Sequence, residues 1–132
     1  MRVLPSGHHL EDTIHSLFDG NNRFRAHVLP QMADHFMSLA DGQSPHTLFV
    51  ACSDSRVDPS LITQTQPGEL FVIRNAGNLV PVYGQDDGSA AAVEYAVQAL
   101  KVRRIVVCGH HGCGAMGGLL QPKSLSALPT VA

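Results

Sequence analysis

The chain is predicted to be α/β: a mostly parallel β-sheet flanked by helices, with an N-terminal helical arm. Three observations predict this. Short apolar runs at residues 47–51 (TLFVA), 70–73 (LFVI) and 105–107 (IVV) have the length and composition of buried strands. A helical pattern at 90–101 separates the second run from the third, so the order strand–strand–helix–strand requires at least one crossover. Before any strand begins, residues 1–40 carry only helical periodicity, which makes them an arm rather than part of the sheet.

Within the arm, Leu10, Ile14, Leu17, Phe18 and Phe24 recur at roughly helical spacing, with a break expected at Asp19-Gly20-Asn21-Asn22. Pro30 is expected to end that segment, and residues 31–40 read as a second helix. Gly42-Gln43-Ser44-Pro45 is a turn into the first strand, and Pro67-Gly68 a turn into the second. Residues 77–88, with Pro81, Gly84 and two aspartates, form the longest irregular stretch. Ser89 is the expected N-cap of the following helix, whose Val93, Ala96, Val97 and Leu100 share one face. The division expected is an arm at 1–40 and an α/β core at 41–132, together one domain.

A chain of 132 residues is at most one domain, and 44% hydrophobic with 15% charged residues is ordinary for a globular one. The net charge of −2 and the lack of any Lys/Arg cluster beyond Arg103-Arg104 argue against nucleic acid or an anionic membrane as partner. No apolar run approaches the roughly 18 residues of a membrane span. The opening residues, Met1-Arg2-Val3-Leu4-Pro5-Ser6, lack the apolar stretch of a secretory signal. Three cysteines, an odd number, point to ligation or catalysis rather than a disulfide framework. The expected location is the cytoplasm.

Two short motifs carry the chemistry. Cys52-Ser53-Asp54-Ser55-Arg56 follows the first strand, and His110-His111-Gly112-Cys113 follows the third. Together they hold two thiols, an imidazole and a carboxylate, the groups that bind Zn²⁺ through S, N and O. If the two strands are neighbours in a parallel sheet, the motifs meet at its carboxyl edge, where open α/β sheets place their sites. Side chains alternate along a strand, so Cys52 and Asp54 can point the same way where it ends. Asp54 can then ligate the metal or touch a water upon it, and Arg56 can hold Asp54 as a bidentate, ionised partner. Taken alone, the first motif fits a buried structural Cys beside a loop ion pair equally well. His110 and Cys113, three apart, allow a short chelate across a strand-to-helix turn, and Gly109, Gly112 and Gly114 leave room for tight backbone there. The convergence of both motifs favours metal. Cys108, inside the apolar run, reads as core. His111 reads as surface, and His8, His9, His15, His27, His35 and His46 show no ligand spacing.

The stretch from Gln43 to Gly118 resembles the β-class carbonic anhydrases, in their plant-like branch, which carry Cys-x-Asp-x-Arg and His-x-x-Cys at about this separation. The intervening Pro67-Gly68-Glu69-Leu70-Phe71-Val72-Ile73-Arg74-Asn75-Ala76-Gly77-Asn78 and Glu94-Tyr95-Ala96-Val97 are similar to that family as well. The resemblance implies Cys52, His110 and Cys113 as ligands of one Zn²⁺ per subunit, with water or hydroxide as the fourth. It implies reversible hydration of carbon dioxide to bicarbonate and a proton by that hydroxide, with Asp54 orienting it and Arg56 keeping Asp54 deprotonated. In some members the Asp takes the fourth zinc position and closes the site. The resemblance also makes Gln43, Phe71 and Tyr95 substrate-pocket residues that reach the zinc of a neighbouring subunit, and so implies a homodimer or larger homo-oligomer.

Relatives continue well past His-x-x-Cys with at least one more strand and further helices. The resemblance therefore implies that the C-terminal part of the family fold is missing, leaving a three-stranded sheet with an uncovered edge. Residues 127–132 resemble the point where a long helix begins in relatives. The alternative to a hydratase is a zinc-binding module without catalytic activity. A zinc hydrolase is a weaker third reading, since neither His-Glu-x-x-His nor a deaminase-type His-x-Glu occurs.

Overall fold

The computed structural model describes residues 10–84 and 88–121, with side chains from residue 14 onward. The final hexapeptide at 127–132, the N-terminal stretch before Leu10, and the middle of the irregular loop at 85–87 lie outside the described residues. Its contacts divide the chain into two units, Met1–Asp41 and Gly42–Ala132.

In the first unit, α1 spans Leu10–Arg23. The break expected at Asp19-Gly20-Asn21-Asn22 does not occur. Each of those residues lowers helix propensity by only about 1 kcal/mol or less, too little to stop a helix by itself. The arm does not end at Pro30 either. Phe24–Val28 is a wider π-helical turn, in which the Leu29 N–H bonds to the Phe24 carbonyl. Leu29–Met32, which contains Pro30, is a tighter 3₁₀ turn, and α2 follows at Ala33–Ser38. Proline has no N–H to return to the preceding turn and crowds its carbonyl, so the backbone widens before it and tightens around it. Phe24 and Phe36 meet edge to face with centroids 6.1 Å apart, joining the π-turn to α2.

The second unit is built on three parallel strands, β1 (Thr47–Cys52), β2 (Leu70–Asn75) and β3 (Arg104–Cys108), in the order β2-β1-β3. Each is slightly longer than its apolar run, and β1 extends to the first residue of its motif, Cys52. Every residue of β1 is buried, as expected of a central strand covered on both faces. Leu48 and Val50 pack with Ile73 and Ala96 on one face, supported by Phe71, Ala92, Val93 and Val102. Phe49 and Ala51 pack with Val57, Leu70 and Cys108 on the other. The outer strand β3 is different, with Ile105 55% and Val107 53% exposed.

Two helices make the connections. Between β1 and β2 lies α3 (Pro59–Thr63), a helix without an apolar repeat long enough to betray it. Asp58 accepts from the Leu61 N–H and Pro59 opens the first turn, so the Asp-Pro pair was its available signal. Between β2 and β3, α4 (Gly88–Glu94) runs into a π-turn at Tyr95–Ala99 instead of continuing as one α-helix to Lys101. Lys101 itself is left-handed (φ 54°), and the Val102 N–H returns to the Ala96 carbonyl, closing the end. Ser89 lies inside α4 rather than at its cap, and its hydroxyl accepts from Asn75 Nδ2 at 3.1 Å. That bond ties the start of α4 to the end of β2.

Candidate metal centre

The register brings the two motifs together. Ala51 pairs with Cys108 on β3 and Cys52 pairs with Asn75 on β2, so the chain leaves β1 and β3 side by side. Cys52 is the last residue of β1, His110 stands two residues past β3, and Cys113 precedes α5 (Gly114–Leu120). Gly112 takes a left-handed conformation (φ 66°) between them, which turns the chain back over its short span.

The Cys52 and Cys113 sulfurs are 3.9 Å apart, well beyond a disulfide bond, and both thiols are free. One ring nitrogen of His110 joins them, so that the three atoms lie within 4.8 Å of one another. Two sulfurs on one tetrahedral Zn²⁺ at about 2.3 Å each stand roughly 3.8 Å apart, close to the spacing seen. His110 Nδ1 lies 3.1 Å from the His111 carbonyl, which can only accept, so Nδ1 carries the proton. Nε2 is then left with a lone pair, buried and without a hydrogen-bond partner. Two sulfurs, an orphaned imidazole nitrogen and a nearby carboxylate all present electron pairs to one small space. Such a donor set fits a cation of borderline softness.

Asp54 and Arg56 form a bidentate pair, with Nε to Oδ1 at 2.9 Å and Nη2 to Oδ2 at 2.8 Å. The Arg56 backbone N–H adds a third bond to Oδ1 at 3.0 Å. These bonds, opposed by partial burial, hold the Asp54 carboxyl well below the usual carboxylate range. The same carboxylate raises the pKa of Arg56 further. Arg56 Nη2 also reaches the Gly112 carbonyl at 3.3 Å, linking the first motif to the second. Asp54 Oδ2 stands 3.9 Å from His110 Nε2, too far for a hydrogen bond. In this arrangement Asp54 faces the cluster while Arg56 holds it.

Cys52 accepts from the backbone N–H groups of Asp54 and Gly77, each at 3.4 Å. These two donors, acting against burial, are the chief cause of a pKa lowered from 9.0 to about 7. Gly77 was not marked out by the sequence as a site residue. Its signal was the Asn-Ala-Gly-Asn turn directly after a strand. At φ +82°, a backbone conformation that side chains rarely adopt, and with a Cβ there only 3.1 Å from Ala115 Cβ, glycine suits the approach of this N–H to the thiol.

The remaining candidates lie elsewhere. Gln43 is exposed in the irregular segment before β1. Phe71 and Tyr95 lie against each other with their rings tilted and centroids 5.9 Å apart. Phe71 pairs with Leu48, four residues before Cys52 along β1, or roughly 13 Å at the usual rise. Neither aromatic ring belongs to this chain's own cluster. Cys108 packs with Phe49, Ala51 and Val57, and His111 is exposed.

The profile of the carbonic anhydrase family matches residues 47–131. A carbonic anhydrase of Pseudomonas aeruginosa is 56% identical over 117 residues, which cover 88% of this chain and 53% of that protein. One from Synechocystis is 53% identical over 117 residues, covering 87% of this chain and 43% of that protein. Among solved structures, the β-carbonic anhydrase CcaA aligns with a TM-score of 0.87 at 51% identity, covering 90% of this chain and 54% of that one. A tetrameric β-carbonic anhydrase from Sordaria macrospora aligns with a TM-score of 0.75 at 41% identity, covering 83% of this chain and 54% of that one. The chain thus spans about half the length of the curated relatives it matches. Both the sequence match and the three-stranded parallel core place the chain in the β-carbonic anhydrase family.

Proposed function

We propose that this chain carries the zinc site of a carbonic anhydrase, which hydrates carbon dioxide reversibly to bicarbonate and a proton. The observation that carries this reading is the convergence of Cys52, His110 and Cys113 beside a carboxylate held by Arg56. Cys52, His110 and Cys113 would hold the Zn²⁺. Bound there, zinc supplies Lewis acidity that makes water a nucleophile near neutral pH.

The protein's own groups do the rest. The two amide donors on Cys52 favour its thiolate, the form a metal requires. The bond from Nδ1 to the His111 carbonyl holds the imidazole in the tautomer that offers Nε2 outward. Because Arg56 keeps Asp54 ionised, its carboxylate acts as an acceptor that orients the attacking water instead of donating a proton to it. Phe71 and Tyr95, remote from their own chain's cluster, fit the role of pocket walls for a second copy, with Gln43 as the amide donor. This reading makes the protein a homodimer or larger homo-oligomer. The tetrameric relative from Sordaria macrospora supports that assembly. Among the described residues no helix is long and apolar enough to cross a membrane. Three free thiols accord with a reducing, cytoplasmic setting.

The test is metal content measured beside carbon dioxide hydration in the purified chain. The expected result is one zinc per chain with hydration that chelation abolishes. Cys52→Ser, His110→Ala and Cys113→Ser should each remove most of the metal. Full zinc without hydration would leave the alternative, a zinc-binding module lacking catalytic activity.

A further inference from the structure

Beneath the Asp54–Arg56 pair lies a second arginine. Arg74 stands on β2 opposite Ala51. Its Nε donates to the Cys52 carbonyl at 3.2 Å, and its Nη2 donates to the carbonyls of Asp54 at 2.9 Å and Val57 at 2.7 Å. These three acceptors bracket the whole segment that carries Cys52, Asp54 and Arg56. A guanidinium suits this task, because its donors are fixed in one plane and its charge strengthens each bond to a neutral carbonyl.

Apart from Arg74 and the ladder at Cys52, the segment's backbone is held mainly by bonds within itself, from the Asp54 N–H to the Cys52 sulfur and from the Arg56 N–H to Asp54 Oδ1. Ser53 N–H reaches the Asn75 carbonyl at 2.9 Å, and Val57 N–H turns back to Asp54 at 2.9 Å. Ser53 and Ser55 are exposed and bury nothing. Asp54 is therefore gripped twice: its carboxylate by Arg56 and its carbonyl by Arg74. We infer that Arg74 is a positioning residue, which pins the backbone under Asp54 and so keeps the Asp54–Arg56 pair aligned beside the thiol–imidazole cluster. For its effect on turnover the inference rests on the hydratase reading; for its effect on the pair it rests on geometry alone.

The experiment follows the Arg56 side chain by ¹⁵N NMR, together with zinc content and carbon dioxide hydration, in the wild type, Arg74→Met and Arg74→Lys. Far-UV circular dichroism checks that each variant is folded. In the wild type the Arg56 Nε–H, bonded to a carboxylate, is expected to give a resonance shifted from that of a solvated arginine. Arg74→Met should move it to the solvated position while zinc stays near the wild-type level. Hydration should fall roughly 10–100-fold, the scale of a misplaced catalytic group. Arg74→Lys, with one donor centre in place of a fork, should fall between the two. If Arg74→Met does not fold, Arg74→Lys decides alone by the same resonance. Adding Arg74→Met to Arg56→Ala should cost little more than Arg56→Ala by itself, because the pair is already broken. An unmoved Arg56 resonance in a folded variant, or additive losses in the double variant, would overturn the inference. Wild-type protein that never hydrates carbon dioxide would defeat the hydratase reading, while the resonance would still decide the role of Arg74.

Discussion

Cys52 concentrates the residue-scale chemistry, since its sulfur meets two backbone amides, a second thiol and an imidazole. The first prediction concerns its titration in metal-free protein. With a pKa of about 7, the thiolate forms as pH rises through neutrality rather than near 9. Site-resolved alkylation of Cys52 should therefore reach half its maximal rate near pH 7. The linkage has a definite sign. A folded-state pKa below the unfolded value stabilises the fold above pH 9, and that contribution is lost as pH falls through 7. A half-maximal rate near pH 9 would show that the amides of Asp54 and Gly77 do not favour the thiolate. The second prediction separates ligand from catalyst. Arg56→Ala should keep its zinc but release Asp54, lowering hydration by roughly 10²–10⁴-fold. Wild-type turnover in a zinc-loaded variant would reduce the pair to a structural role.

At the scale of elements, the three strands are not equivalent. The central strand β1 is closed on both faces, whereas β3 leaves Ile105 and Val107 more than half exposed. Similar substitutions should thus have unequal costs. Leu48→Ala removes a fully buried side chain between Ile73 and Ala96, and is expected to cost about 2–5 kcal/mol. Ile105→Ala, on the open strand, should cost less than about 1 kcal/mol. Urea denaturation of both variants measures the difference, and equal losses would mean that β3 is covered in solution. The burial pattern also explains which elements could be read in advance. Apolar runs marked all three strands, but burial accounts for the lack of polar alternation only in β1; β2 and β3 were marked by their β-branched and aromatic composition. The five-residue α3 has no room for a helical repeat, and the π-turn at Tyr95–Ala99 leaves no residue signature that distinguishes it from α-helix.

For the whole molecule, the issue is where one site ends and the next begins. Phe71, roughly 13 Å along the strands from the cluster of its own chain, lies against Tyr95, and Gln43 is exposed in the irregular segment before β1. If they complete a neighbour's pocket, complementation should reveal it. A Cys113→Ser subunit lacks metal, and a Gln43→Ala subunit lacks the amide donor. Hybrids of the two, verified by mass, contain one site with every group intact and should regain activity above either parent. Hybrids no better than their parents would show that Gln43 does not act across an interface, and a fully active monomer would defeat the shared site directly.

The donor set, its assignment to strand ends and the alternation of strands and helices were all legible in the sequence. They depend on residue type and local spacing, which a linear chain displays. Cys52, His110, Cys113, Asp54 and Arg56 could be named as candidates, because each sits in a short motif beside an apolar run, while the division into ligands and helpers came from the family resemblance. What only the tertiary structure decided were relations between distant residues. The order β2-β1-β3 sets the two motifs side by side, and the left-handed turn at Gly77 brings an amide onto the Cys52 sulfur. Arg74 looked like any charged residue near the end of a strand. Its role depends on three carbonyls, 17 to 22 residues away in the chain, that converge on one guanidinium. Backbone carbonyls are the same at every position, so no side-chain pattern can announce where they meet; folding alone decides that.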